Sequence, residues 1–138
     1  MENYQRIEEA TQNFQKVFRE ACEIYQKSLV ATLQETIFTA YPFVEKVTWT
    51  QYANYFCDGG PCSFYVYSDS CNINDEESFW SLSDDDVEKL PIYQATESLC
   101  HFLDRLDSDL MKQAFGDDQQ ITVHRDGTIE NNYYGEHD

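Results

Sequence analysis

Across 138 residues, 26 acidic side chains stand against only 9 basic ones, a formal net charge of −17. Such a surface repels nucleic acid and anionic lipid and attracts basic proteins or cations, so direct binding to nucleic acid or to a membrane is not expected. Aromatic residues make up 15% of the chain; disordered acidic segments lack them, and the length fits one folded domain over residues 1–138 that buries roughly two-thirds of its extended surface.

No stretch approaches the roughly 18 apolar residues that a membrane-spanning helix needs. Residues 1–20 carry Arg6, Lys16 and Arg19 without the continuous apolar run of a signal peptide. The five cysteines (Cys22, Cys57, Cys62, Cys71 and Cys100) are odd in number and irregularly spaced. Together these features predict reduced thiols and a cytoplasmic protein.

From the N-terminus, Ile7, Ala10, Phe14, Val17, Phe18, Ala21, Ile24, Tyr25, Leu29, Leu33, Ile37 and Tyr41 recur at three- and four-residue steps, and no Gly or Pro intervenes before Pro42. The spacing predicts one helix over residues 3–41. Unbroken, it would run to about 55 Å at 1.5 Å per residue, more than a small domain is wide. It must therefore bend or break, or part of it projects and pairs with another chain, a route to a homodimer.

Residues 45–56 are rich in β-branched and aromatic side chains and predict a strand; Cys57 to Cys62, with Gly59, Gly60 and Pro61, predict a turn; residues 63–68 predict a returning strand. Alternation sends Val47, Trp49, Tyr55, Phe64 and Val66 to a core face. Thr48, Thr50, Tyr52, Tyr65 and Tyr67 fall on a second face, expected half wet. Residues 69–90 form an acidic connection in which Ser83-Asp84-Asp85-Asp86 suits a helix cap. Residues 92–115 predict a second helix with Leu99, Phe102, Leu103, Leu106, Leu110, Met111 and Phe115 inward, ended by Gly116. Trp49 and Phe102 are expected to be buried where this helix meets the first hairpin. The residues around Arg125-Asp126-Gly127 predict a closing hairpin on a two-residue Asp-Gly turn. The order α-β-β-α-β-β predicts an α+β fold: a four-stranded, mostly antiparallel sheet with long helices on one face.

Two stretches carry a resemblance. Trp49-x-Gln51-Tyr52-x-x-Tyr55-Phe56-x-Asp58-Gly59-x-x-Cys62-x-Phe64 is similar to a hairpin pattern of small uncharacterised proteins encoded by bacteria and bacteriophages. Phe115-Gly116-Asp117 and Ile121-Thr122-Val123-x-Arg125-Asp126-Gly127, with an acidic tail, resemble the closing hairpin of the same family. That pattern shows Thr-Pro and Asn where this chain has Ala53-Asn54 and Cys57. The resemblance covers about a third of the chain and implies the same fold and a microbial or viral setting. It carries no activity and no catalytic residue.

The chemistry-bearing residues form no strong constellation. Cys57, Cys62 and Cys71 with His101 or His124 offer only one loose pair, Cys57-x4-Cys62, where structural zinc uses two tight ones. Cys100 and His101 are sequence neighbours, which on a helix point apart. Asp84-Asp85-Asp86 lacks the spaced ligands of a calcium loop, and no helix follows Gly59-Gly60 to cradle a phosphate. No enzyme activity, metal or cofactor is expected.

What stands out is the charge distribution. Residues 69–118 hold 14 acids and 3 bases, and the acids are interleaved with Phe79, Trp80 and Tyr93. The favoured expectation is a non-enzymatic interaction domain whose partner-binding residues are Asp75, Glu76, Glu77, Asp84, Asp85 and Asp86. Its partner would be a basic protein surface. In a bacteriophage setting that becomes an inhibitor of a host nucleic-acid-acting or anti-phage defence protein, imitating the charge of nucleic acid. The alternative is a protein that sequesters a small ligand on the face of Tyr52, Tyr65 and Tyr67.

Overall fold

The computed structural model describes residues 2–53, 64–74 and 90–134. The segment from 54 to 63, which contains the expected first turn, lies outside the described residues, as does most of the acidic connection.

Helix α1 runs over Glu2–Leu33 and passes directly into a π-helical turn, Gln34–Phe38. The helix runs on through this turn to residue 40 without a break, so of the two expected departures from a plain long helix it is the exposed, projecting half that is seen. The π turn adds a residue to the local repeat, so that consecutive Ile37 and Phe38 are both buried. The Thr39 hydroxyl and backbone N–H both donate to Gln34 O and seal the widened turn. At the other end, residues 4–21 are exposed throughout, and this half of α1 projects from the body.

Strands β1 (Lys46–Ala53), β2 (Phe64–Ile73), β3 (Gln119–His124) and β4 (Ile129–Tyr133) form one sheet in the order β2-β1-β3-β4, antiparallel at every pairing. β1 is central, and residues 47–51 are all buried. Val47, Trp49, Ile121 and Val123 face the helices and join Leu33, Ile37, Val44, Leu99 and Met111 in one core. The α+β architecture with helices on one face of the sheet is as expected. Thr48 and Thr50, expected half wet, are 3% and 7% exposed, because each hydroxyl is paired across the sheet, Thr48 with Thr122 at 3.0 Å and Thr50 with Ser70 at 2.8 Å.

Three expectations need correcting. β2 extends to Ile73, five residues beyond Ser68, so the first part of the expected connection is strand. Its polar run Ser68-Asp69-Ser70-Cys71 bulges opposite Trp49 before pairing resumes at Asn72 with Thr48 and Ile73 with Val47. The second helix is two helices, α2 (Pro91–Asp104) and α3 (Ser108–Phe115), because the Asp107 carboxylate accepts from Leu110 N and starts a new helix. The new axis turns Leu110 outward, where it is 46% exposed, and leaves Phe102 half-buried at the edge of the core. Finally, residues 125–128 link β3 to β4, four residues rather than two. Gly127 takes a positive φ of 94°, Asp126 accepts from Thr128 N, and His124 N donates to Thr128 O.

A buried polar knot joins the sheet to α3. Gln51 has no exposed surface; its Nε2 donates to Met111 O at 3.0 Å and Gly116 O at 2.8 Å, and its Oε1 accepts from Trp49 Nε1 at 3.3 Å. The Trp49 ring meets Phe115 edge-on at 6.1 Å. Beside them, Asp117 Oδ1 accepts from Ala53 N and Asp118 N. At the far end of β3, the Arg125 guanidinium donates to the carbonyls of Tyr41, Pro42 and Val44 and lies over Phe38, clamping the end of α1 to the closing hairpin.

Candidate interaction surface

Antiparallel pairing decides which tyrosines meet. Tyr52 sits opposite Tyr65, and Thr50 opposite Tyr67, so all three tyrosines fall on the sheet face turned away from the helices. The rings then find diagonal neighbours. Tyr52 and Tyr67 stack with centroids 4.2 Å apart and planes 18° from parallel; Tyr65 meets Tyr67 edge-on at 6.1 Å. The expected aromatic face is therefore assembled, and Tyr65 is 50% exposed on it.

A fourth ring completes the patch. Tyr134, just past β4, lies 5.9 Å from Tyr52, positioned by a hydrogen bond from its backbone N to Asp118 O. Continuing inward along the same face come the Thr48–Thr122 and Thr50–Ser70 hydroxyl pairs. Buried beside them is Asn72 Oδ1, which has no hydrogen-bond partner among the described residues. At the rim, Glu130 Oε2 lies 2.7 Å from His124 Nε2. The four tyrosines gather phenol edges and π faces at the Ala53 end of the sheet, and Glu130 lies toward the opposite end.

Of the other expected site residues, Asp75, Glu76, Glu77, Asp84, Asp85 and Asp86 all lie outside the described residues. So do Cys57 and Cys62 of the weighed zinc set. Among the described residues no group of three or more His, Cys, Asp or Glu side chains is placed to hold a metal ion. Its remaining members part company, since His124 is paired with Glu130 and Cys71 lies beside Cys100.

That thiol pair was not anticipated. The β2 bulge carries Cys71 to within 3.2 Å of Cys100 on α2, sulfur to sulfur. Cys100 also donates to Ser68 O, and Ser68 donates to Asp104, so the bulge is fastened to α2 at three points. The Cys71 thiol is pushed well above its ordinary value, chiefly by its hydrogen bond with Cys100 and then by burial. It stays protonated at neutral pH, which makes it a poor nucleophile as it stands. Cys22, the remaining described thiol, donates to Gln113 O.

A surface groove of about 340 Å³ lies between α1 and the closing hairpin, walled by Gln26, Val30, Gln34, Gly127 and Ile129. Its charged lining is Glu23 and Lys27, one acid and one base a helical turn apart. That arrangement places no nucleophile and no paired acid and base over a bound substrate.

Compared with family models, with curated proteins and with solved structures, the chain matches none of them. No described helix is long and apolar enough to cross a membrane.

Proposed function

We propose that the chain is a non-enzymatic protein-interaction domain that binds a basic protein surface through its tyrosine-lined sheet face. The observation that carries this reading is the Tyr52–Tyr67 stack with Tyr65, half exposed, and Tyr134 around it, on the sheet face turned away from the described helices, in a chain of net charge −17. Tyrosine is enriched at interface cores because it buries a large rigid surface and keeps a polar tip. Its π face also takes Arg and Lys cations. The chain's excess of carboxylates, the acidic run from Asp75 to Asp86 among them, would steer such a partner in and raise the association rate more than the final affinity.

The same face favours a protein over a small sequestered ligand. The 4.2 Å ring stack closes the slot a flat ligand would enter, whereas small-molecule sites are concave pockets that bury most of the ligand. The narrower form of the proposal, inhibition of a host nucleic-acid-acting or anti-phage defence protein by charge mimicry, is supported by the charge and by the family resemblance.

Affinity capture from bacterial lysate tests the reading in three arms: wild type, a Tyr52→Ala/Tyr65→Ala/Tyr67→Ala variant, and a variant with the six acids from Asp75 to Asp86 changed to Asn or Gln. A basic protein retained by wild type, released by salt and lost from the tyrosine variant is the expected result. Equal capture by wild type and the tyrosine variant moves the site off this face. A metabolite retained on the purified wild type in native mass spectrometry would establish the ligand-binding alternative instead.

A further inference from the structure

The projecting half of α1 presents a second surface, independent of the sheet face. Residues 4–21 span about 27 Å of helix at 1.5 Å per residue before the chain reaches Cys22, which is anchored to Gln113 O. An isolated helix of that length is marginal in water. On it Tyr4, Ile7, Phe14, Val17, Phe18 and Ile24 are between 41% and 70% exposed. At 3.6 residues per turn these six, with Ala10 and Ala21, fall within an arc of about 160°. Glu8, Glu9, Gln12, Lys16, Arg19, Glu20 and Glu23 occupy the opposite side. Phe14 and Phe18 stack with planes 7° from parallel and centroids 6.2 Å apart, making a flat apolar ledge at the middle of the stripe.

We propose that this stripe is covered by α1 of a second copy, the two helices running antiparallel in a homodimer. Area is the first reason. Three exposed aromatics and three aliphatics present on the order of 700 Å², close to the ~800 Å² per partner of a stable interface. Charge is the second. Residues 2–27 carry five acids and four bases, a net of −1 out of −17, so the remainder of the chain carries −16. The projecting helix is thus the part of this molecule on which two copies can meet without strong repulsion. Its mixed polar face also lacks the Lys/Arg excess of a membrane-surface helix.

Self-complementarity is the third reason. With a two-fold axis at Phe14, Ile7 meets Ala21 and Ala10 meets Phe18 of the other copy, large against small, while the two Phe14 rings meet on the axis and Tyr4 meets Ile24 at the ends. Antiparallel order follows from the same charge argument. A parallel pair would hold two bodies of −16 side by side, whereas an antiparallel pair sets them at opposite ends of the helices, beyond the ~8 Å screening length at physiological salt.

Sedimentation equilibrium of the full chain at concentrations up to about 100 μM, the micromolar range where an interface of this size is populated, should give twice the monomer mass of 16.2 kDa. The Phe14→Glu/Phe18→Glu variant should be monomeric and lose part of its helical circular dichroism while keeping its near-ultraviolet spectrum, because both side chains lie on the projecting half and not in the core. A wild-type monomer at the highest concentration, or a variant that still dimerises, overturns the proposal. So does a monomeric wild type that instead binds phosphatidylserine–phosphatidylcholine vesicles. For orientation, mild oxidation of an Ile7→Cys/Ala21→Cys variant should join position 7 of one copy to position 21 of the other. A link between the two copies of position 7 would refute the antiparallel arrangement.

Discussion

Gln51 gives the sharpest test of how this fold is held together. It is a fully buried amide on the central strand, and it bonds with buried or part-buried polar groups: Met111 O, Gly116 O and Trp49 Nε1. Gln51→Leu keeps the volume and removes every one of those bonds. Each buried polar group left without a partner costs ~1–3 kcal/mol. Met111 O keeps its helical bond from Phe115 N, so two groups, Gly116 O and Trp49 Nε1, are left and cost ~2–6 kcal/mol, while the added apolar burial of Leu returns ~1–2 kcal/mol. The net expected loss is about 1–4 kcal/mol. Urea unfolding at pH 7 and one fixed protein concentration, followed by tryptophan fluorescence, measures it. Gln51→Glu should be worse and pH-dependent. The buried carboxyl would face two carbonyl oxygens, its folded pKa would rise above the ordinary ~4.3 of Glu, and the variant would lose stability as pH rises above that value. A Gln51→Leu protein within about 0.5 kcal/mol of wild type, the size of an ordinary surface change, would refute this account of the knot.

Trp49→Ala should cost ~3–5 kcal/mol and Phe102→Ala distinctly less, about 1–2 kcal/mol, because Trp49 has no exposed surface while Phe102 is half-buried; equal losses in urea unfolding would contradict the observed packing. Thiol titration of the denatured, anaerobically kept protein should find all five cysteines free, and in a separate folded sample glutathione disulfide should slowly cross-link Cys71 to Cys100, whose sulfurs lie 3.2 Å apart. Peptide mapping that finds both still free after exchange would refute the juxtaposition. Hydrogen bonds from Thr128 hold the Asp126 carboxyl below its ordinary 3.8. Because the folded value is the lower one, its contribution is present above that ordinary value and is lost as pH falls through the folded one. Asp126→Ala should therefore be less stable than wild type at pH 7 and converge with it in strong acid; a gap that widens on acidification would be the refuting result.

Periodicity points to α1 and the tyrosine face, and β-branched composition with turn residues points to the strands, because each of these depends on residues close together in the chain. The elements they misplace depend on partners distant in the chain. Ser68-Asp69-Ser70-Cys71 is polar enough to pass for a connection, and it belongs to a strand only because Asn72 and Ile73 find Thr48 and Val47. The helical period runs unbroken through Leu103, Leu106 and Leu110, so the break at Asp107 is hidden unless that carboxylate is recognised as a cap. Tyr134 is signalled in the sequence by the Tyr133-Tyr134 doublet at the end of the last strand. The Cys71–Cys100 contact carried none, since 29 residues separate the two and only the bulge aims one at the other.

The described part of the stretch that begins at Trp49 meets the stretch that begins at Phe115 in space, and that bears on where function lies. Trp49, Gln51 and Ala53 of the first stretch meet Phe115, Gly116 and Asp117 of the second through a ring contact and hydrogen bonds, and Arg125 ties the closing hairpin to the end of α1. Their side chains are used up in satisfying one another, and a buried, fully partnered amide or indole is closed to any ligand. These residues therefore account for a scaffold, which proteins with different partners can share. The described groups that this scaffold turns outward are the tyrosines on the sheet face away from the helices, Tyr52 of the first stretch among them, and the apolar stripe of the projecting helix. The two surfaces make separable demands. The first binds through π faces amid negative charge, so its partner should be released by salt. The second buries apolar area on a nearly neutral helix, so its dimer should persist or tighten in salt. Opposite salt responses in one protein would distinguish two interfaces from a single adhesive surface, and a common response would show that one of the two assignments is wrong.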